Sequence, residues 1–379
     1  MKPRGVHLQY SFEARGQSGA QIDNPLFELL SALQQAGSIS HAARQLQQSY
    51  RHVWGSLKRW EEVLGSELVV WAKGQPARLT PFAERLVWAE RQARTRMRPH
   101  VEALRAELSR VFALADDPAL QLLEVFASHD LALPLLQALA EDQHALHLSL
   151  RFAGSQEALR ALMAGRCTVA GFHVPRGAGS ASVFARALRP LLRPGTHKLI
   201  GSHTRRQGFM MGAGLIRSIA EQGAACGAQG PALLRALAAG QHRFVNRQLG
   251  SGTRLLLEHL LAGQGLHTAG ISGYDSHVEE THVAVAAAVA AGTAEMGLGV
   301  EAAAHEFGLA FVPLAEEDYY LVCLKAALDS PAVRSLRLAL ASPAWAAAVQ
   351  TLPGYGLQQA GEVLSLTRAL PWWRYRRSG

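Results

Sequence analysis

Over the first hundred residues, apolar positions recur at helical spacing. Leu26, Leu29, Leu30 and Leu33 predict a helix over residues 25–35 with one buried face, closed by Gly37. Ser38 then caps a short second helix holding Ala42, Ala43 and Leu46, and after a Gln47-Gln48 turn Ser49 caps a third. In the third, Val53, Leu57, Trp60 and Leu64 form one core-facing stripe, while Arg51, His52, Gly55, Lys58 and Arg59 fall on the opposite face. Residues 68–71 and 77–79 read as two short strands around a Lys73-Gly74-Gln75-Pro76 turn. Thr80-Pro81 opens a long helix with apolar residues at Phe82, Leu86, Ala89, Ala93, Met97, Val101, Leu104 and Leu108, which Pro99 should kink. This is the rhythm of a winged helix-turn-helix followed by a linker helix.

From residue 119 the pattern changes. Short β-rich runs near 120–127, 147–153, 167–173, 197–202, 243–248, 295–300 and 310–314 alternate with helical stretches, which predicts an α/β domain of parallel sheets and crossover helices. At three junctions a strand ends, a serine appears and a helix begins: Ser128, Ser155, and Ser251 within Gly250-Ser251-Gly252-Thr253-Arg254. Helix N-termini carry unpaired N–H groups and the positive end of the dipole, so several in one cleft make an anion site. The hydroxyls of Ser128, Ser155, Ser251 and Thr253 add neutral donors there, Arg247 and Arg254 add charge, and Gly252 lets a ligand approach bare backbone. Tyr274, His282 and Tyr319 are candidate lining residues. An ordinary capping role for each serine is the alternative reading.

Composition limits the classes available. A chain of 379 residues, 49% hydrophobic and 18% charged, is long enough for two or three packed domains. The divisions expected are 1–80 for the winged head, 81–115 for a linker and dimerisation helix, 116–370 for a two-lobed ligand-binding domain, and 371–379 for a basic aromatic tail. Residues 1–115 hold 16 Lys+Arg against 10 Asp+Glu, residues 116–373 hold 19 against 20, and Arg374, Arg376 and Arg377 add three more positive charges. A basic head on a neutral body suits a polyanionic partner for the head alone. Cys167, Cys226 and Cys323 form no CxxC pair, and the first twenty residues hold no apolar signal core, so a cytoplasmic protein without a membrane partner is expected. GxxxxGK[ST], GxGxxG and HExxH are absent, His277 and His282 are badly spaced for one metal, and no serine has an identifiable base. A cofactor-free protein that is not an enzyme is therefore expected.

The cationic face of the third helix, with a glycine at its middle, suits double-stranded DNA: long donors reach guanine edges and phosphates while a small residue permits close approach. Ser49, Tyr50, Arg51, His52, Gly55, Lys58 and Arg59 are the candidate DNA-facing residues, with Lys73 and Arg78 of the wing placed for the phosphate backbone. The apolar stripe of the linker helix calls for a partner, and a second copy of the chain is the simplest. A homodimer, or a homotetramer, is expected.

Residues 37–69, GSISHAARQLQQSYRHVWGSLKRWEEVLGSELV, followed by a wing and LTPFAERLV, resemble the winged helix of the ModE-type molybdate-responsive regulators, relatives of the LysR-type head. From about residue 120 to 350 the chain resembles periplasmic-binding-protein-like domains of the molybdate-binding type. This rests on the run from Phe244 to Arg254, then Gly273-Tyr274, Glu280-Thr281-His282, Gly297-Leu298-Gly299 and Glu317-Asp318-Tyr319. The resemblance implies two lobes closing on a small oxyanion effector, molybdate or tungstate, with hinges near residues 175–195 and 270–276, in a regulator of transcription. A molybdenum-cofactor precursor or another anionic metabolite as ligand, an anion-delivery protein, and a cofactor-assembly enzyme remain alternatives. The segment 213–240 departs from the shorter connection the resemblance implies.

Overall fold

A computed structural model describes residues 12–13, 21–22, 24–71, 76–116, 120–212, 214–217 and 229–373. Lys73, Cys226, and Arg374, Arg376 and Arg377 lie outside them. The described residues up to Met97 form one compact unit and those from residue 98 form another.

In the first unit, helices Asn24–Ala36, Ile39–Gln45 and Tyr50–Leu64 pack on one apolar core that includes Leu26, Leu30, Leu33, Val53, Leu57 and Trp60. Leu64, expected in that stripe, is only half-buried. Ser38 and Ser49 cap the second and third helices by accepting hydrogen bonds from the His41 and His52 amides. Gly65, at φ 61°, ends the third in the left-handed conformation. Strands Val69–Val70 and Arg78–Leu79 pair antiparallel as the wing. Helix Pro81–Asp116 begins in this unit and runs for 36 residues, beyond its end at Met97; it continues through Pro99, which interrupts one hydrogen bond without ending it. Ala83 and Val87 on it are buried, while Met97, Leu104 and Leu108 are exposed.

The second unit is α/β around one path of strands. Gln121–Ala127 lies between Leu146–Phe152 and Val169–Pro175, all parallel. Strand Ala310–Leu324 then runs antiparallel to Val169–Pro175, and His197–Met211 antiparallel to Ala310–Leu324. Met296–Val300 pairs antiparallel with the end of His197–Met211, followed by Phe244–Arg247 and Val278–Glu279 in parallel. The two 15-residue strands thus belong to both halves of the sheet: Tyr319 faces His203 in the first, and Phe311 faces Met210 in the second.

Three expectations change. The runs 197–202 and 310–314 are only parts of these strands, because His203, Arg205, Gln207 and Glu317 are fully buried polar residues that break the apolar pattern. The centre of the sheet is antiparallel rather than parallel. Residues 175–195 and 270–276 do not connect the halves; the chain crosses between them inside the two long strands. A register shift between Pro313 and Ala315 marks one of these crossings. At the other end of the chain, Trp372 is buried and its indole N–H donates to the Ala178 carbonyl, so that part of the expected tail belongs to the core. No helix among the described residues is long and apolar enough to cross a membrane.

Candidate functional site

Two surfaces carry the chemistry. On the third helix Tyr50, Arg51, His52, Gly55, Lys58 and Arg59 are all exposed, and a Cβ added at Gly55 would meet nothing. The Ser49 hydroxyl caps this helix. Lys58 pairs with Glu61 at 2.7 Å and sits 5.8 Å from the Trp54 ring centre, while Arg59 lies 5.3 Å from the Trp60 ring centre. Trp54 is exposed on the same surface, three residues after Arg51 and four before Lys58. It was not among the candidate DNA-facing residues, although an unburied tryptophan between two basic residues was a readable signal. Arg78 is exposed on the wing.

The second surface is a cavity between the two halves of the sheet. Helix Ser155–Met163 follows Leu146–Phe152, helix Gly252–Gly263 follows Phe244–Arg247, and helix His282–Ala290 follows Val278–Glu279. Ser128, Ser155, Arg247, Ser251, Gly252, Thr253 and His282 line the cavity, as do His129, Ala153, Gly154, His173 and Gln248. The space in it open to a water-sized solute is about 10 Å³, far below the roughly 300–1,000 Å³ of sites for drug-sized ligands, so a drug-sized molecule is excluded.

The lining groups differ in how far they are committed. Ser251 and Thr281 cap their helices by accepting from the Arg254 and Ala284 amides. Ser155 does not cap: Gly154 holds that position, and the Ser155 hydroxyl, in a residue 1% exposed, has no hydrogen-bond partner. A buried, unpartnered hydroxyl at a helix N-terminus is costly unless a ligand completes it. Arg247 is 4% exposed and donates to the Glu280 carbonyl at 2.6 Å and to the Gln248 amide oxygen at 3.1 Å. Burial and then the charge of Arg205 depress its pKa to about 9, so a negative solute beside it would relieve the guanidinium. Burial, then Arg247 and Arg205, press His282 well below the usual histidine range, which leaves its ring neutral.

Beneath the cavity lies a largely buried network that no spacing rule pointed to. Arg205 bonds Asp130 at 2.7 Å and Glu317 at 3.0 Å; Gln207 also donates to Glu317. His203 lies 3.1 Å from Asp130 and stacks on Tyr319 at 4.6 Å, and the Tyr355 hydroxyl donates to Asp130 at 3.1 Å. Burial alone would raise both carboxyls, but His203 and Arg205 hold Asp130 far below the carboxylate range, and His173 and Arg205 hold Glu317 at about 2.

Three candidates do not join the cavity. Arg254 lies 4.3 Å over the Tyr274 ring and pairs with Asp275, and the Tyr274 hydroxyl donates to Glu258 at 2.8 Å. Both point away because Arg254 is two residues beyond the cavity-lining Gly252 on a helix, and these carboxylates already satisfy it. Tyr319 is buried behind Ser128, donating to its carbonyl at 2.7 Å. His129, His173 and Gln248 were missed. His173 lies inside an all-buried strand, where a histidine reads as ordinary core.

Residues 136–341 match the PBP superfamily domain, and residues 26–84 match the bacterial regulatory helix-turn-helix protein, lysR family. The uncharacterized protein YvgK of Bacillus subtilis (strain 168) is 34% identical over 122 residues, 32% of this chain and 39% of that protein, so the chain spans about two fifths of that relative's length. Among solved structures, ArgP from Mycobacterium tuberculosis is 16% identical with a TM-score of 0.38, covering 86% of this chain and 98% of that one. Full-length LysG from Corynebacterium glutamicum, solved with a bound effector, is 18% identical with a TM-score of 0.38 over the same shares.

Proposed function

We propose, for a chain that belongs to the PBP superfamily through residues 136–341, that it is a ligand-responsive transcription regulator whose effector is a compact oxyanion. The lysR-family helix-turn-helix match ahead of that domain supports the regulator, together with an exposed cationic third helix suited to a DNA groove. The observation that carries the effector class is the unpartnered Ser155 hydroxyl beside buried Arg247, where the starts of three helices meet. Neutral donors and one cation without a carboxylate partner answer a small anion better than they answer an apolar ligand. The resemblance of the Phe244 to Arg254 run favours molybdate or tungstate within this class. Ser128, Ser155, Arg247, Ser251, Gly252, Thr253 and His282 hold the ligand, and no catalytic residue is assigned. The exposed Met97, Leu104 and Leu108 supply the stripe through which two copies associate, and occupancy of the cavity changes how the dimer presents its third helices to an operator.

Calorimetry of the full chain against molybdate, tungstate, sulfate and phosphate tests the effector. One of the four should bind at a single site per chain and lose affinity in Ser155→Ala and Arg247→Ala. Indifference to all four would remove the oxyanion reading. Gel-shift titration with a promoter fragment tests the regulator, and equal affinity for that fragment and random DNA would remove it.

A further inference from the structure

One wall of the cavity is a histidine that a proton-free oxyanion cannot meet without help. His173 lies on strand Val169–Pro175, 3% exposed, with Nδ1 2.9 Å from Glu317 Oε1. Glu317 is fully buried and accepts from Arg205 Nε and Gln207 Nε2, which holds it as a carboxylate. The pair is not aligned as a formed hydrogen bond, yet two lone pairs do not share 2.9 Å, so Nδ1 carries the proton of the neutral ring. The Cε1 and Nε2 edge of the ring then faces Gly252 at the cavity, where a Cβ added to that glycine would run into it. Nε2 is a lone pair presented among donors. An oxyanion without protons also offers only lone pairs, and contact between the two is repulsive unless one proton lies between them.

We propose that His173 couples effector binding to a proton, so that the cavity accepts an oxyanion only with one hydrogen shared between Nε2 and the ligand oxygen. A fully deprotonated dianion such as molybdate draws that proton from solvent onto Nε2, making His173 an imidazolium between Glu317 and the ligand. Hydrogen phosphate brings its own and donates it to Nε2. The groups facing His173 are Glu317 and Tyr319 from strand Ala310–Leu324, Arg205 from His197–Met211, Asp130 from the loop after Gln121–Ala127, His282 from its helix, and Arg247 and His129 across the cavity. Burial and then Arg205 keep the His173 pKa below the ordinary value. A bound dianion adds the negative charge that reverses this balance.

The inference rests on the oxyanion reading, and one experiment separates the two. Full-length protein is titrated with molybdate by calorimetry between about pH 6.5 and about pH 8.5, in buffers of different ionisation enthalpy. Affinity should fall about tenfold per pH unit, with close to one proton taken up per ion. His173→Gln should keep measurable binding and lose the slope. Glu317→Gln, whose amide can donate to Nδ1 and so move the ring proton to Nε2, should also lose it. If hydrogen phosphate is the anion that binds, its uptake should be nil above about pH 8, where its own proton is the one shared. Molybdate binding with a flat pH profile overturns the role of His173 and leaves the oxyanion site standing. A slope that persists in His173→Gln moves the proton to another group and overturns it equally. Failure of all four anions to bind ends both.

Discussion

Adding one methyl group at Gly154 tests whether the two halves of the sheet must meet for the ligand to be held. Gly154 precedes the Ser155 helix, and a Cβ there would stand 2.8 Å from the Gly250 carbonyl oxygen and 3.3 Å from its carbon. That oxygen belongs to the other half, next to Ser251, so the clash is backbone against backbone and no side chain can rotate away. Relief to ordinary contact needs a separation of about 0.6 Å between the two helix starts that flank the cavity. The φ of Gly154 is −67°, which alanine adopts freely, so contact alone is altered. Overpacking of this kind costs about 1–3 kcal/mol. If the cost falls on the liganded state, affinity in Gly154→Ala drops by roughly 5- to 150-fold, at about 1.4 kcal/mol per decade. Calorimetry with the anion that wild type binds reads the loss, and thermal melting of the unliganded variant is the control. Unchanged affinity would refute the reasoning, because it would mean that the ligand needs no closer approach of the two halves than the variant allows. A melting temperature lowered as much without ligand as with it would place the clash in the resting fold instead.

Other outcomes follow from the same geometry. Arg51→Ala and Arg59→Ala should weaken promoter binding in gel shifts, and whichever contacts phosphate should lower the slope of log affinity against log salt by about one; Lys58→Ala should cost less, since Glu61 already engages that ammonium. Arg205→Leu strands two buried carboxylates and should lose about 3–5 kcal/mol in urea unfolding; a loss below 1 kcal/mol would show that the network is not paired as described. Acid should unfold the second unit progressively, because the folded pKa of Glu317 lies at about 2 against 4.5 for a free glutamate. A depressed carboxyl contributes stability that is complete above the unfolded value and is lost as pH falls through the folded one, so urea midpoints should drop between about pH 4.5 and about pH 2, and a flat profile there would contradict the assignment.

The helical head was legible because its spacing and caps agree: Ser38, Ser49 and the Val53-Leu57-Trp60 stripe each point to the same three helices. The cavity was half legible. Serines at strand-to-helix junctions marked Ser128, Ser155 and Ser251, which the fold gathers in one place. Adjacency along a helix misled at Arg254, where the residue after Thr253 turns outward to Asp275. The buried network was illegible for a physical reason. Arg205, Glu317 and Asp130 neutralise one another across 75 to 112 residues of sequence, so each one alone breaks the apolar pattern and looks like the end of a strand. The same polar residues hid the length of the strands that join the halves.

Those strands set the kind of motion available to the second unit. A domain whose halves meet through loops can swing like a door, but here two hydrogen-bonded ribbons of 15 residues run through both. Any rearrangement must flex them as a leaf spring flexes, with a restoring force and a small amplitude. The compliant spot is encoded at Val312-Pro313-Leu314, where proline offers no N–H and the register slips before Ala315. Amide exchange at Leu314 and Ala315 is therefore where a signal leaving the cavity would first be seen.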